Sequence, residues 1–133
     1  MSDVAAQWVL RGEEARFYGF CADKRLMVQR CNVCDVFQFP PSAVCSDCWS
    51  TELTWTEVTG RGSIETFSIE MRPGPNPDLV PPYVVAMICL DEGPRMLSNV
   101  VASPDAVAVG AEVVVTFRTF GEHLVPVFEL ASQ

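Results

Sequence analysis

Basic residues and long apolar runs are scarce in this chain of 133 residues. Lysine and arginine together number nine against seventeen acidic residues, and the formal net charge is −8. Nonspecific binding to nucleic acid or to an anionic membrane needs many basic side chains, so the composition argues against both kinds of partner. A transmembrane helix needs about 20 consecutive apolar residues, and the longest apolar stretches here are much shorter. We therefore expect neither nucleic acid nor a membrane as a partner.

Recognisable catalytic motifs are also missing. The sequence has a single histidine, His123, and it has no GxSxG, HExxH, phosphate-binding glycine loop or dinucleotide fingerprint. No motif places a nucleophile or an orienting carboxylate beside His123, so a surface or packing role is expected for it. Residues 1–4 carry no basic region before an apolar run, which predicts no signal peptide and a cytoplasmic protein. The chain is poorly equipped to act as an enzyme alone.

Four cysteines stand out against this background. Cys31, Cys34, Cys45 and Cys48 follow the pattern C-x2-C-x10-C-x2-C. Each pair can form a tight turn that directs two sulfurs to one point, and an all-thiolate tetrahedral site is typical of structural zinc. Iron in a rubredoxin-like site is the main alternative, because four thiolates suit both metals. Two disulfides are a further alternative, which the absence of any sign of secretion disfavours. A shell filled by four sulfurs predicts a structural metal rather than a Lewis acid.

The segment over residues 1–25 is predicted to be helical. Gly12 interrupts it, and the spacing of Phe17 and Phe20 indicates one apolar face of an amphipathic helix over residues 13–24. A helix this short is marginal by itself, so it packs either on its own domain or on a partner protein. Phe17 and Phe20 are therefore the candidate partner-binding residues.

The four cysteines lie in a second segment, residues 26–58, which is predicted to be a zinc ribbon. A short strand leads into the first cysteine pair, and an extended stretch over residues 37–41 ends in two prolines, which disfavour a β-ladder. Leu53 and Trp55 share one face of a predicted exit strand. A module of this size cannot bury enough core to fold unaided, so metal binding is expected to supply its folding energy.

The third segment, residues 59–133, is predicted to consist mainly of β-strands. Its β-type runs are residues 62–71, 82–91, 95–102, 111–120 and 123–130. The second run is apolar on both faces, which predicts a central strand, and a turn at residues 91–94 predicts a hairpin with the third run. Five short strands with glycine and proline between them suggest a small barrel of the OB type. The proline-rich loop over residues 72–82 is either a binding loop or a solvated connector.

A series of short motifs runs in a fixed order through residues 13–130. They are Leu26-x-Val28-Gln29-Arg30-Cys31-x-x-Cys34, Phe39-Pro40-Pro41, Cys45-x-x-Cys48, Gly60-Arg61-Gly62-Ser63-Ile64, Pro82-Tyr83-Val84-Val85-Ala86, Asp91-Glu92-Gly93 and Gly110-x-x-Val113. In this order they resemble the DUF35 family, which implies an N-terminal helix, a rubredoxin-like zinc ribbon and a five-stranded OB-fold barrel. The sequence departs from the family at Asp35 and Trp49, where glycine, which readily adopts φ > 0, is common.

The resemblance implies a partner subunit for an enzyme of the thiolase superfamily or a related acyl-CoA enzyme. Family members take part in retro-aldol cleavage of steroid side-chain thioesters by a lipid-transfer-protein-like aldolase, or bridge two acyl-CoA enzymes in archaea. The leading expectation is a non-catalytic, zinc-binding subunit of such a complex, with acyl-CoA as the ligand of the complex. The alternatives are a free-standing acyl-CoA binding or transfer protein, a single-stranded nucleic-acid-binding OB protein and a rubredoxin-like electron carrier.

Coenzyme A is a polyanion with an apolar thioester arm, so its protein sites combine local cations with a narrow apolar passage. With a net charge of −8, this chain is expected to leave much of the phosphate binding to its partner. The candidate acyl-CoA channel residues are Phe39, Pro40, Arg72, Leu79 and Tyr83, which lie on predicted linkers and strand ends.

Overall fold

The computed structural model describes residues 12–131. The elements are helix α1 (Gly12–Ala22) and strands β1 (Met27–Cys31), β2 (Phe37–Gln38), β3 (Leu53–Glu57), β4 (Arg61–Glu70), β5 (Tyr83–Leu90), β6 (Arg95–Val100), β7 (Glu112–Phe120) and β8 (His123–Leu130), with a 3-10 turn at Pro104–Ala106 before β7. The predicted helical segment is seen as α1, and its first eleven residues lie outside the described part. No helix within residues 12–131 is long and apolar enough to cross a membrane.

Helix α1 carries two acidic residues, Glu13 and Glu14, in its first turn, where they suit the positive end of the helix dipole. The helix ends two residues before the predicted end at residue 24. Lys24 adopts a left-handed conformation, with φ of 59°, and its N–H donates to the carbonyl of Cys21 at 2.8 Å. This turn closes the last carbonyls of the helix and directs the chain into β1.

A small antiparallel sheet of order β2-β1-β3 forms the first β unit, which we call the ribbon and define as residues 26–58. Its central strand β1 pairs Gln29 with Gln38 of β2 and with Trp55 of β3. The extended stretch predicted over residues 37–41 therefore enters the sheet at its start and leaves it before the two prolines. The predicted exit strand is confirmed as β3.

Strands β4 to β8 form a closed barrel of order β4-β5-β6-β8-β7, which is the predicted five-stranded OB-type fold. The predicted hairpin is confirmed, because β5 and β6 pair antiparallel from Val84↔Val100 to Cys89↔Arg95. The barrel interior is filled by apolar side chains. They include Ile64, Val84, Ala86, Ile88, Leu90, Met96, Val100, Val113 and Phe128. The same cluster continues through Leu26, Val28 and Val58 of the ribbon to Phe17 of the helix.

Strand β5 corrects one prediction. It is central between β4 and β6, but only one of its faces is buried, because a barrel strand turns its alternate side chains outward. The inward residues are Val84, Ala86, Ile88 and Leu90, and the outward, partly exposed residues are Tyr83, Val85, Met87 and Cys89. The apolar outer face of β5 continues onto β6, where Leu97 is exposed. The barrel therefore presents an apolar strip to its surroundings.

Helix α1 packs against both β units through aromatic rings. The ring pairs are Phe17–Phe39 at 5.0 Å, Phe20–Trp55 at 5.4 Å and Tyr18–His123 at 6.3 Å between centroids. The first two pairs reach the ribbon and the third reaches the first residue of β8 in the barrel. The helix thus bridges the ribbon and the barrel.

Candidate metal centre

The four predicted cysteines come together at one end of the ribbon. Their sulfur atoms all lie within 4.8 Å of one another, with 3.5 Å between Cys31 and Cys48 and 3.7 Å between Cys34 and Cys45. Four Zn–S bonds of about 2.3 Å in a tetrahedron would place the sulfurs about 3.8 Å apart, so the cluster fits a tetrahedral ion of this size. These sulfur–sulfur distances exceed the length of a disulfide bond, which is about 2.05 Å, and all four cysteines are free. The disulfide alternative is therefore wrong.

Backbone N–H groups in the cysteine turns point at the sulfurs. Asp47 and Cys48 donate to Cys45 Sγ at 3.3 and 3.4 Å, and these hydrogen bonds, that of Cys48 first, lower the pKa of Cys45. At Cys31 the N–H of Cys34 is the largest of several influences that lower the pKa, which falls to about 7. The turns therefore favour the thiolate forms that bind a metal.

The pKa of Cys34 is shifted in the opposite direction. The N–H of Val36 acts to lower its pKa, but burial and hydrogen bonds with the three other thiols raise it to about 12. Four thiolates in contact repel one another, so a cation is what lets all of them lose their protons. The cluster is suited to metal binding rather than to use of a single cysteine as a nucleophile.

Each cysteine turn closes on a residue in the left-handed conformation. Asp35 has φ of 64° and donates its N–H to the Cys31 carbonyl at 2.9 Å, and Trp49 has φ of 68° and donates to the Cys45 carbonyl at 3.0 Å. These are the two positions at which the sequence departs from glycine. Asp35 also pairs with Arg30, whereas the Trp49 side chain is 77% exposed. Aspartate tolerates this conformation, but for tryptophan it costs about 1 kcal/mol.

Two buried glutamines hold the loop that leads to the second cysteine pair. Gln29 and Gln38 are 1% and 6% exposed, and Gln38 Nε2 donates to Gln29 Oε1 at 2.8 Å. Gln29 binds Ser42 twice, through its Nε2 to the carbonyl at 2.7 Å and through its Oε1 from the N–H at 2.8 Å. Gln38 Oε1 accepts the N–H of Ser46 at 2.8 Å. The network fixes the backbone just before and just after Cys45.

Sequence reasoning missed this network. The available signal in the sequence was the amide side chain of Gln29 between Val28 and Arg30. In the structure, Arg30 is the one residue of this strand that is not fully buried. A polar residue on the buried face of a strand needs partners, and here the partners are backbone groups of the following loop.

The predicted acyl-CoA channel residues divide into two groups. Phe39 is half-buried against Phe17 in the ribbon, and its neighbour Pro40 is exposed. Leu79 and Tyr83 instead line a cavity of about 170 Å³ in the barrel, between the proline-rich loop and strands β5 and β6. The other lining residues are Val80, Pro82, Val84, Asn99, Val100, Val101, Ala102 and Arg118. Arg72 is exposed at the start of the loop and does not line this cavity.

The proline-rich loop is fixed to the β7–β8 turn by Asp78. The Asp78 carboxylate accepts the N–H of Gly121 at 2.9 Å, and its carbonyl accepts a hydrogen bond from Arg118 at 3.1 Å. Hydrogen bonds to the barrel therefore hold the second half of the loop in place. Asp78 and Asn99 were not among the predicted site residues, because their roles depend on the barrel bringing distant strands together.

The two residues predicted to bind a partner, Phe17 and Phe20, pack against other residues of the same chain. Phe17 is 2% exposed and packs inside the chain, while Phe20 is half-buried between Trp55 and the guanidinium of Arg25. The exposed apolar side chains nearest in sequence to the cysteines are Val33, Val36 and Trp49. We call these three residues the ribbon tip.

The histidine and the two cysteines outside the cluster, Cys21 and Cys89, lie in packed positions. His123 lies against Tyr18, as expected of a packing residue, and Cys21 is fully buried, which raises its pKa to about 12. Cys89 is half-buried on the outer face of β5.

Two family models match adjoining parts of the chain. The model of the ChsH2 rubredoxin-like zinc ribbon domain matches residues 20–54, and that of the ChsH2 C-terminal OB-fold domain matches residues 55–118. The first model spans β1, β2 and the start of β3, and the second spans β4 to β6 and most of β7, so that β8 lies beyond both.

Curated relatives carry two kinds of description. A DUF35 domain-containing scaffold protein of Methanothermobacter thermautotrophicus is 33% identical over 96 residues, which cover 71% of this chain and 72% of that protein. A probable enoyl-CoA hydratase alpha subunit of Thermomonospora curvata is 32% identical over 121 residues, which cover 90% of this chain. That stretch is 38% of the Thermomonospora protein, so the chain spans well under half of that relative.

Solved structures give the same fold. A chain of an assembly described as Ltp2-ChsH2(DUF35) aldolase superposes with a TM-score of 0.84 at 30% identity, over 93% of this chain and 98% of that one. A DUF35 protein of unknown function from Sulfolobus solfataricus superposes with a TM-score of 0.65 at 15% identity, and this likeness concerns the fold alone.

Proposed function

Because the chain belongs to the DUF35 family and has the ChsH2 arrangement of zinc ribbon and OB-fold, we propose that it is a non-catalytic subunit of a thiolase-like aldolase. The reaction of the complex would be retro-aldol cleavage of an acyl-CoA, of which a steroid side-chain thioester is one example. The observation that carries this proposal is the likeness, at a TM-score of 0.84, to a chain of an Ltp2-ChsH2 aldolase. The name of the Thermomonospora relative independently supports a CoA thioester as ligand.

The side chains of this protein support placing the reaction on the partner. Retro-aldol cleavage needs a base that removes a hydroxyl proton and a group that stabilises the enolate. The single histidine packs against Tyr18, and four of the six cysteines form the sulfur cluster. A zinc ion held by all four of these sulfurs would have no open coordination position, and it would stabilise the ribbon without touching substrate.

The ribbon tip is the surface that we assign to the partner enzyme. Trp49 is exposed in a left-handed conformation that glycine would adopt at lower cost, and Val33 and Val36 expose further apolar area beside the cysteines. Exposed aromatic anchors on a rigid support commonly dominate binding at protein interfaces. The metal would hold this surface in shape.

The test is co-expression with a thiolase-like enzyme from the organism that encodes this chain. We expect the two proteins to co-purify and the pair to cleave a β-hydroxyacyl-CoA, with neither subunit active alone. Cleavage by this chain alone, or failure of the two proteins to associate, would overturn the proposal. Trp49→Ala should weaken association at least tenfold, whereas Val109→Ala, at an exposed valine of the barrel, should leave it unchanged.

The alternative is a free-standing acyl-CoA binding or transfer protein. It predicts binding of an acyl-CoA by the isolated chain at full affinity, with no gain when the thiolase-like enzyme is added. Titration of acyl-CoA with and without that enzyme separates the two functions.

A further inference from the structure

The ribbon has an open strand edge at β3. Within residues 12–131 the barrel is closed and has no free edge, and the other outer strand of the ribbon, β2, is two residues long and leads into Pro40 and Pro41. Proline lacks the N–H that strand pairing needs. In the same described range β3 is five residues long and has β1 as its only neighbour. A strand edge of this length is a template for pairing with another chain.

The hydrogen bonds of β3 show which of its backbone groups lie at the open edge. Just past the end of the strand, Val58 donates its N–H to the Leu26 carbonyl at 3.1 Å. Residues that exchange hydrogen bonds with the neighbouring strand alternate along an antiparallel pair, so the even-numbered residues of β3 face β1. The N–H and C=O groups of Trp55 and Glu57 therefore face away from β1, toward the open edge.

A cavity of about 470 Å³ lies between β3 and α1. It contacts the consecutive residues Leu53, Thr54 and Trp55, whose side chains alternate between the two faces of the sheet, so it follows the strand itself. Glu13 and Arg16 of the helix form its opposite side. The remaining lining residues are Gln29, Ser42, Ala43 and Thr51. Its volume is within the range of about 300–1,000 Å³ that is usual for binding sites, so it can hold a long side chain of an added strand.

The cavity wall suits an uncharged polar side chain. Glu13 offers a carboxylate, of which Oε1 accepts a hydrogen bond from Gln29 Nε2 at 3.2 Å. The Arg16 guanidinium lies 5.8 Å from the centre of the Trp55 ring, and in the described part of the chain it forms no ion pair. An amide side chain both donates and accepts, so a glutamine can bind the carboxylate and the guanidinium together.

Exposed carboxylates stand at both ends of the open edge. Glu52 precedes β3, and Glu57 is its last residue. Arg25 pairs with Glu57 at 3.4 Å, but both side chains are about half exposed, so this ion pair contributes little and can be exchanged. Opposite charges across neighbouring strands stabilise their pairing, and the net charge of −8 also attracts a positive segment. A strand with a basic residue at each end therefore complements β3.

We propose that the open edge of β3 binds an extended, basic segment of another protein as a fourth strand of the ribbon sheet. The backbone of the segment pairs with Trp55 and Glu57, a central polar side chain enters the cavity beside α1, and its basic ends lie opposite Glu52 and Glu57. Strand addition of this kind takes affinity from main-chain hydrogen bonds and specificity from pockets for alternate side chains. The surface shares no residue with the ribbon tip, and the inference does not depend on the proposed enzyme partner.

The test is a two-dimensional NMR titration of the full zinc-loaded chain with the peptide acetyl-Lys-Thr-Gln-Thr-Val-Lys-amide. In antiparallel register its lysines lie opposite Glu57 and Glu52, and its glutamine lies opposite Trp55. We expect saturable shifts of the amides of residues 52–57 and 13–16 below about 10 mM peptide. Absence of shifts at residues 52–57 would overturn the inference.

Matched peptides separate the contribution of charge from that of backbone pairing. Glutamate in place of both lysines should weaken binding at least about tenfold. N-methylation of the glutamine and valine amides, which face β3 in this register, should abolish the shifts, whereas N-methylation of the two threonine amides, which face away, should not. Equal binding of the two methylated peptides would exclude strand addition.

A charge reversal in the protein tests the same register. Glu52→Lys should weaken the lysine peptide about fivefold and strengthen the glutamate peptide. Glu129→Lys, at an exposed glutamate of β8, should change either affinity by less than about twofold. Equal effects of the two variants would show that only the net charge of the chain matters, and the assignment to β3 would then be wrong.

A second copy of this chain is the competing occupant of the edge. Two β3 strands would then pair with each other around Trp55, as in an isologous dimer. The amides of residues 52–57 would shift as the concentration of the chain alone is raised, and sedimentation would give the mass of a dimer. That result would overturn the assignment to a basic segment, whereas a monomer at concentrations up to about 1 mM would support it.

Discussion

The ribbon and the barrel are stabilised in different ways. The barrel buries a continuous set of apolar side chains, among them Ile64, Ile88 and Phe128. The ribbon buries only Leu26, Met27, Val28 and Val58 of this kind, together with the sulfurs of Cys31 and Cys45 and the amides of Gln29 and Gln38. A unit of about 30 residues cannot offset its chain entropy by apolar burial, so a metal and a satisfied polar network take over that role. The two units should therefore respond to different perturbations.

The largest expected effect is the loss of the metal. Cys45→Ser should abolish stoichiometric zinc binding and unfold the ribbon, because structural zinc contributes on the order of 10 kcal/mol. The barrel should keep dispersed amide signals in a two-dimensional NMR spectrum, and Cys89→Ser, outside the cluster, should retain the metal. Global unfolding of Cys45→Ser would show that the barrel depends on the ribbon, and the contrast between the units would then be wrong.

A cavity in the barrel core gives the converse perturbation. Phe128 is fully buried, so Phe128→Ala should lower the free energy of unfolding of the barrel by about 3–5 kcal/mol in urea titrations. Leu97→Ala, on the exposed outer face, should change it by less than about 0.5 kcal/mol. Zinc stoichiometry should be unchanged in both variants, and its loss from the Phe128 variant would contradict the assignment of the metal to the ribbon alone.

Loss of the amide network should destabilise the ribbon less than loss of the metal does, and it should leave the stability of the barrel unchanged. Gln29→Met keeps the size of the side chain but leaves the Ser42 N–H and the Gln38 amide without their acceptor, at a cost of about 1–3 kcal/mol. Competition with a chelator should show weaker zinc binding. The matched control is Arg30→Met, which removes only an exposed ion pair and should cost less than about 1 kcal/mol. Equal effects of the two variants would argue against the network.

The smallest expected effect is a gain in stability. Trp49→Gly relieves a left-handed conformation that an L-residue adopts at a cost of about 1 kcal/mol, so zinc should be held up to about fivefold more tightly against a chelator. Asp35→Gly should gain less, because aspartate tolerates this conformation and pairs with Arg30. Weaker zinc binding by the Trp49 variant would show that the indole stabilises the ribbon.

The elements that could be predicted from the sequence are those with a local signal. The cysteine spacing predicts the cluster, and alternation or turn residues predict the β5–β6 hairpin and the five barrel strands. The helix end was misplaced by two residues because Lys24, an ordinary helix former, takes the left-handed position. The exposed outer face of β5 was missed because an apolar run does not reveal whether a sheet is covered on both sides.

Contacts between distant parts of the chain could not be predicted. The cavity wall joins Leu79 and Tyr83 to Asn99 and Arg118 only because the barrel closes. Phe17 is buried because Phe39 and other residues distant in the sequence pack around it. An amphipathic spacing shows that Phe17 faces an apolar surface, and it does not show whether that surface belongs to the same chain.

Local opening of the ribbon or of the barrel should also affect helix α1. Its rings rest on the ribbon through Phe39 and Trp55 and on the barrel through His123, so the helix loses contacts when either unit opens. Amide hydrogen exchange in the helix should therefore follow the less stable of its two supports. Stripping zinc would accelerate exchange in the helix together with the ribbon, and the helix would then serve as a built-in sensor of metal loading at a distance from the sulfurs.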